Sequence, residues 1–327
     1  MPLPCITPKT KKAPAIAGAY VISFSGHFQK RLTQLFGDTI LLLVAVLWGF
    51  GFVAVKIGLN NGVGTYYLLS LRFLVATLVL LPFERSSLSA IPPRTLRGGV
   101  FLGVLLFLAF LFQTSGLART TTANNAFLTS VNVILVPFLA WASTGRKVPL
   151  KGFLSAFLTL AGIGLLTLER DFSINSGDLL TLVCAVMFAG HIVGTSRYAK
   201  EAAIRTLVFL QMATALVLSV AMALLGGEIQ PLEPSSLAAI LYLGFFSTLA
   251  AFFLQTLGQK HAHPSKAAVL LSTESLFGAL FAILVFRDPL TVRVFWGGLL
   301  VFAGVLLAES PGLSRRPASS KPTREAA

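Results

Sequence analysis

"GDTILLLVAVLWGFGFVAVKIG" at 37–58 and "GDLLTLVCAVMFAGHIVGTSRY" at 177–198 align at an offset of 140 positions, and each is an apolar run broken only near its ends. A helix of about 20 apolar residues is what crossing a bilayer requires. The match extends along the chain. "FQTSGL" from Phe112 pairs with "LQTLGQ" from Leu254 at an offset of 142, and "LTSVNVILVPFLA" (128–140) lies on "LLSTESLFGALFA" (270–282). Ala161-Gly162 lies on Ala303-Gly304 at the same offset. One unit is therefore used twice.

Composition agrees with a membrane setting. Of 327 residues, 55% are hydrophobic and 12% charged, against about 25% charged in soluble domains, and the mean hydropathy is +0.81. In lipid every backbone polar group must be satisfied within its own element, and the alternation that marks barrel strands is missing, so the runs read as helices. Breaking the runs at charges and at Gly or Pro gives ten spans: 39–58, 65–83, 98–118, 121–142, 150–168, 177–196, 204–226, 236–258, 265–287 and 290–309. The fold expected is an all-α integral membrane protein of ten transmembrane helices arranged as two five-helix repeats, 38–170 and 177–309. Basic tails at 1–37 and 310–327 flank them.

A unit of five helices reverses its direction when repeated. The charges fit this inversion: 20 Lys and Arg fall on one side of the spans, whereas the other side has Arg119, Arg170, Arg287 and Arg293. "NNGVG" between spans 1 and 2 is uncharged, while its counterpart has Arg197, Lys200 and Arg205. Opposite bias in matching loops is the mark of inverted repeats, and the positive-inside rule places both termini in the cytoplasm. The net charge of +14 follows from this distribution, so no nucleic-acid face is implied. The patch "APAIAGAYVISF" is superficially like a signal peptide, but no small-residue cleavage site follows, and the first 37 residues read as a tail. Cys5 and Cys184 are too few for a disulfide framework.

The sequence resembles the EamA-type transporters of the drug/metabolite transporter superfamily. The resemblance covers 38–309 and is carried by "WGFGFVAVKIGL" (48–59), "LRFLVATLVLLPF" (71–83), "GDLLTLVCAVMFAGHIVGTSRYA" (177–199) and "STESLFGALFAILVFRDPLT" (272–291) followed by "WGGLLVFAGVLLAE" (296–309). It implies a ten-helix secondary transporter of bacterial cytoplasmic membranes, commonly an exporter of amino acids, other metabolites or toxic compounds. The family's usual "LEP" in span 9 is "TES" here, which removes a proline kink beside Glu274, and the frequent "GE" after span 4 is "GRK".

Glu274 lies about 14 Å into span 9 at 1.5 Å per residue, near the middle of a core about 30 Å thick. An acid there costs several kcal/mol unless paired, hydrated or neutralised, so it reads as a proton carrier, a contact for a cationic group, or an interhelical hydrogen-bond donor. Its repeat mate, Asn132, falls at similar depth, where inverted repeats meet and transporters bind substrate. Arg72 either snorkels outward or meets an acid or anionic substrate. His191 serves as a proton relay or a polar bond between helices. The mates Gln113 and Gln255 suit gates, cavity lining or polar packing, and Trp48 suits a cavity wall or the core. Pro137 is expected to kink span 4 near Asn132. Gly99/Gly103 and Gly190/Gly194 have the GxxxG spacing of close helix contacts.

Nucleotide-binding loops, metal-ligand clusters and nucleophile elbows are missing from the sequence, so no catalytic residue, cofactor or metal is expected. The expected function is secondary active transport of a small molecule by alternating access, proton-coupled through Glu274, by a monomer or homodimer. Alternatives are an uncoupled facilitator and a non-transporting scaffold or lipid-handling protein.

Overall fold

The computed structural model describes residues 16–85, 88–120, 122–145, 149–167, 175–286 and 291–310. Arg146, Lys147, Arg170, Arg287 and the tail residues 1–15 and 311–327 lie outside these. Among the described residues all regular structure is helical. Seven helices are long and apolar enough to cross a membrane, and Leu150–Leu165 and Val292–Ala308 are shorter apolar helices. Large apolar side chains such as Leu78, Phe157, Val217 and Leu284 point outward, as lipid-facing helices require.

Helix α1 (Ile16–Asn60) begins well inside what the sequence reading assigned to the N-terminal tail. It is followed by α2 (Thr65–Glu84), α3 (Pro93–Leu117), α4 (Thr122–Ser130), α5 (Asn132–Thr144) and α6 (Leu150–Thr167). The second half has α7 (Ser176–Tyr198), α8 (Ile204–Leu225), α9 (Pro234–Tyr242), a π-helical stretch Leu243–Ala250, α10 (Ala251–His261), α11 (Pro264–Ser272), α12 (Glu274–Phe286) and α13 (Val292–Glu309). Local chemistry sets the ends. Asn175 accepts from the N–H groups of Gly177 and Asp178 while Asp178 accepts from the N–H of Asn175, a closed capping box at the start of α7.

Two expected single helices are each broken once, at Val131 and at Thr273, which are repeat mates at the offset of 142. Before each break, hydroxyls bond back onto the preceding turn: Ser130 to the Ala126 carbonyl, Ser272 to Val269 and Thr273 to Leu270. Such bonds compete with the helical ladder. The interruption beside Glu274 thus needs no proline. Pro137 stays inside α5, six residues past the break, so hydroxyl residues rather than the proline mark the discontinuity next to Asn132. The two breaks meet at a 2.9 Å hydrogen bond between Ser130 and Ser275.

Helices pack in matching pairs under the repeat offset. α1 lies on α10 and α12, as α7 lies on α3, α4 and α5. α2 touches the π-helical stretch and α3 touches α8, while α2 with α8 and α6 with α13 are self-paired. The repeated Ala-Gly dipeptide explains the last contact: a Cβ on Gly162 would come within 2.6 Å of the Val301 nitrogen, and one on Gly304 within 2.9 Å of the Ser155 carbonyl oxygen. Gly99 and Gly103 give α8 the same close approach to α3, and Gly194 admits Leu102. Gly190 has only an ordinary contact with Leu105, so half of the second GxxxG pair does no close packing.

Candidate functional site

A cavity opens between these helices. Six of the seven residues singled out from the sequence line it, each from a different helix: Trp48 on α1, Arg72 on α2, Gln113 on α3, Asn132 on α5, Gln255 on α10 and Glu274 on α12. The two helix breaks explain part of this convergence. They make Asn132 and Glu274 the first residues of their helices, where backbone N–H groups lack helical partners and the dipole favours negative charge.

Arg72 is buried and does not snorkel. Its Nε donates to Thr248 Oγ1 at 2.8 Å, one terminal nitrogen reaches Ser247 Oγ at 3.4 Å, and the guanidinium lies 4.0 Å from the centre of the Phe110 ring. Among the described residues no carboxylate lies within ion-pair distance of it. The π-helical stretch supplies both hydroxyls, and the Ser247 carbonyl accepts from Trp48 Nε1 at 2.9 Å. A π-helix displaces the residues that follow by one position around the axis. Its mate in the first half, 101–108, is regular helix within α3, so this holder for Arg72 exists once.

Glu274 has no ion pair or hydrogen bond to its carboxyl among the described residues. Gln255 Oε1 and Asn125 Oδ1, both buried and both on cavity-lining residues, likewise have no protein partner there. Gln113 Nε2 reaches Thr129 Oγ1 at 3.3 Å. Trp48, Phe52, Phe110 and Phe188 add aromatic surface. The wall is therefore largely apolar, with one guanidinium and one carboxyl that lack fixed counter-charges. Such a surface suits a small organic solute carrying polar or charged groups.

His191 does not join them. It is buried between α7 and α8, with Nε2 2.8 Å from Gln211 Oε1 and its ring edge-on to Phe252. That makes it a polar tie between two helices, while its neighbours Phe188 and Ile192 face the cavity. No group of three or more His, Cys, Asp or Glu suited to a metal is present among the described residues. Lys56 is exposed near the end of α1, as an interfacial anchor would be.

The EamA-like transporter family model matches twice, at 35–168 and 175–309. The chain belongs to the EamA-like transporter family. Among relatives in this family, an uncharacterized transporter of Archaeoglobus fulgidus is 31% identical over 277 residues, covering 84% of this chain and 86% of that protein. A protein of Escherichia coli K12 named as a probable amino-acid metabolite efflux pump is 26% identical over 289 residues, 81% of this chain and 92% of its own. The biotin transporter of Salmonella typhimurium is 22% identical over 280 residues, with 82% and 90% covered. A solved crystal structure superposes with a TM-score of 0.72 at 20% identity, covering 84% of this chain and 96% of that one, which establishes a common fold. This EamA-like chain is thus a multi-pass membrane transporter, and its family gives no indication of catalysis.

Sequence reasoning missed Asn125, Ser247, Thr248 and Phe110. The π-helical turn brings Ser247 and Thr248 to Arg72, α3 brings Phe110 under its guanidinium, and Asn125 reaches the cavity from α4. Gln211, the partner of His191, was also missed, although a buried histidine calls for a polar group on a facing helix.

Proposed function

We propose that this protein is a secondary active transporter that exports amino acids or related small metabolites, or drugs, across the bacterial cytoplasmic membrane. Ten spans would form two inverted five-helix repeats, 38–170 and 177–309, with basic termini in the cytoplasm, and would alternate access around the central cavity. The observation that carries the reading is that Arg72 and Glu274 line one cavity and, among the described residues, have no fixed counter-ions. The guanidinium would take the carboxylate of a solute and Glu274 its amino group or the coupling proton. Asn132, Gln113 and Gln255 would orient it, with Trp48 as part of the wall. The name of the E. coli relative supports amino-acid metabolites as the first class to try.

The test uses the full chain in proteoliposomes with an imposed pH gradient and a panel of labelled amino acids and aromatic carboxylates. Uptake driven by the gradient in the parent, and uncoupled from it in Glu274→Gln, is expected. Gradient-independent uptake in both would instead assign an uncoupled facilitator, and failure of the whole panel would remove the proposed substrate class.

A further inference from the structure

The cavity is off-centre. It takes the later turns of α1 (Trp48, Phe52, Val55), the end of α3 (Leu117) and Asn125 on α4, all toward the membrane face at which α1 ends. Toward the opposite face, where α1 begins, the space is filled. α1 descends there beside α12 and then α11. Trp48 and Glu274 line the cavity, Leu41, Val44 and Leu270 lie buried in one apolar cluster, and Asp38 and Lys266 form an ion pair at 2.6 Å. Lys266 and Leu270, four residues apart, lie near one face of α11, and Glu274 opens α12 just beyond the break at Thr273. A Cβ on Gly37 would come within 3.2 Å of the Gly258 carbonyl oxygen, so α1 and α10 also close tightly at this level.

The other face has the same parts but not the same charge. Asp178 is the repeat mate of Asp38, and it is satisfied by Thr120 Oγ1 at 2.6 Å and the N–H of Asn175. Lys266 has Asn124 as its mate. Gly177 and Gly116, mates of Gly37 and Gly258, approach as closely as those do. Among the described residues Asp38–Lys266 joins the two halves across 228 positions of sequence, as the ion pairs Glu84–Arg205 and Arg94–Glu201 also join them. Asp38 is 6% exposed, so the pair is shielded better than a surface contact.

We infer that Asp38 and Lys266 form the lock that holds the cavity shut toward the face where α1 begins, and that their separation is the step admitting solute from that side. The inference rests on the alternating-access reading, but its test needs no substrate. Breaking the pair shifts the population toward the conformer open on that face and away from the one observed.

The full chain is prepared as Cys5→Ser, Cys184→Ser with a single reporter, Ala267→Cys in the buried plug, and reconstituted in vesicles. A membrane-impermeant maleimide is added from each side in turn. Asp38→Asn and Lys266→Met are each expected to raise labelling from the face where α1 begins by about tenfold. With Val55→Cys as reporter at the mouth of the cavity, labelling from the opposite face falls in the same variants. The exchanged pair Asp38→Lys with Lys266→Asp returns both rates to within about twofold of the parent, as a direct pairwise interaction demands. The lock is overturned if the single variants label like the parent, if the exchange labels like the singles, or if neither the singles nor the exchange elute as folded protein, which would make the pair a folding element. Loss of transport with all labelling changes as described would leave the lock standing and remove the substrate assignment alone.

Discussion

Glu84 and Glu228 fasten the same two helices from opposite ends. Glu84, the last residue of α2, accepts from Arg205 and from Thr206 Oγ1 at the start of α8. Glu228, just beyond the end of α8, accepts from the N–H groups of Tyr66 and Tyr67 at the start of α2, at 2.6 and 3.2 Å. α2 and α8 occupy matching positions in the two halves, so each half supplies one acid to the helix start of the other. Gly64 and Ala203 provide no side-chain cap; Glu228 takes that place for α2, while Glu84 holds the start of α8 through its side chains.

Glu228→Gln should therefore lower stability by about 0.5–2 kcal/mol, the range for losing an N-terminal cap. Glu84→Leu should cost about 1–3 kcal/mol, since Thr206 then loses its acceptor beside a buried site. Arg205 is half-exposed and regains water, which keeps the second figure down. A Cβ at Gly64 would meet the Glu228 carboxylate, so Gly64→Ala should reproduce Glu228→Gln without touching the acid. Thermal unfolding in detergent, followed by tryptophan fluorescence, measures all three.

Arg72→Lys should fold normally yet bind a carboxylate-bearing ligand about tenfold more weakly. Lysine keeps the charge but cannot donate to Thr248, reach Ser247 and lie over the Phe110 ring at once. Thr248→Val, which only unties the guanidinium, should give a smaller loss. Titration of the best ligand from the transport panel, read by fluorescence of Trp48, checks both; equal binding by Arg72→Lys and the parent would remove Arg72 from the site.

Gly162→Val should destabilise by about 1–3 kcal/mol through overpacking, because the added atoms meet the α13 backbone rather than a movable side chain. Gly190→Ala, on the face where the nearest atom is an ordinary 3.5 Å away, should be close to neutral. The contrast is read from melting temperatures of the two variants under one detergent condition.

The positions of the helices were legible because a bilayer demands long apolar runs, and the duplication was legible because its two copies keep short polar landmarks such as the Gly-Asp pairs and Gln113/Gln255. The same landmarks led to the cavity: Asn132 and Glu274 stand out as polar residues at matching depth. What the sequence concealed depends on backbone departures. Ser130, Ser272 and Thr273 look unremarkable in an apolar helix, yet their hydroxyls accompany breaks that hydropathy cannot register. The π-helical turn carries no proline or glycine signature beyond Gly244, so the holder of Arg72 could not be read, and the choice between snorkelling and inward burial stayed open. For His191 the sequence offers both a proton relay and a polar bond between helices, and the facing Gln211, invisible in the linear pattern, supplies the partner of the second.

His263 gives the protein a pH dependence outside the membrane-spanning helices. It caps α11, its Nδ1 3.4 Å from the N–H of Ser265. Burial first, and then the positive charge of Lys200, lower its pKa from the ordinary 6.5. In the unfolded chain the ring protonates near its ordinary value, so below that pH the unfolded state binds more protons than the folded one, and stability falls as pH falls. The contribution is complete above about pH 6.5 and is lost progressively as pH drops through the lower folded value, because the protonated ring no longer accepts from Ser265 and faces Lys200. His263→Gln should flatten this part of the profile, leaving unfolding temperatures less sensitive to pH on the acid side. Melting curves of parent and variant across that window measure the difference, and identical slopes would remove His263 as the titrating group.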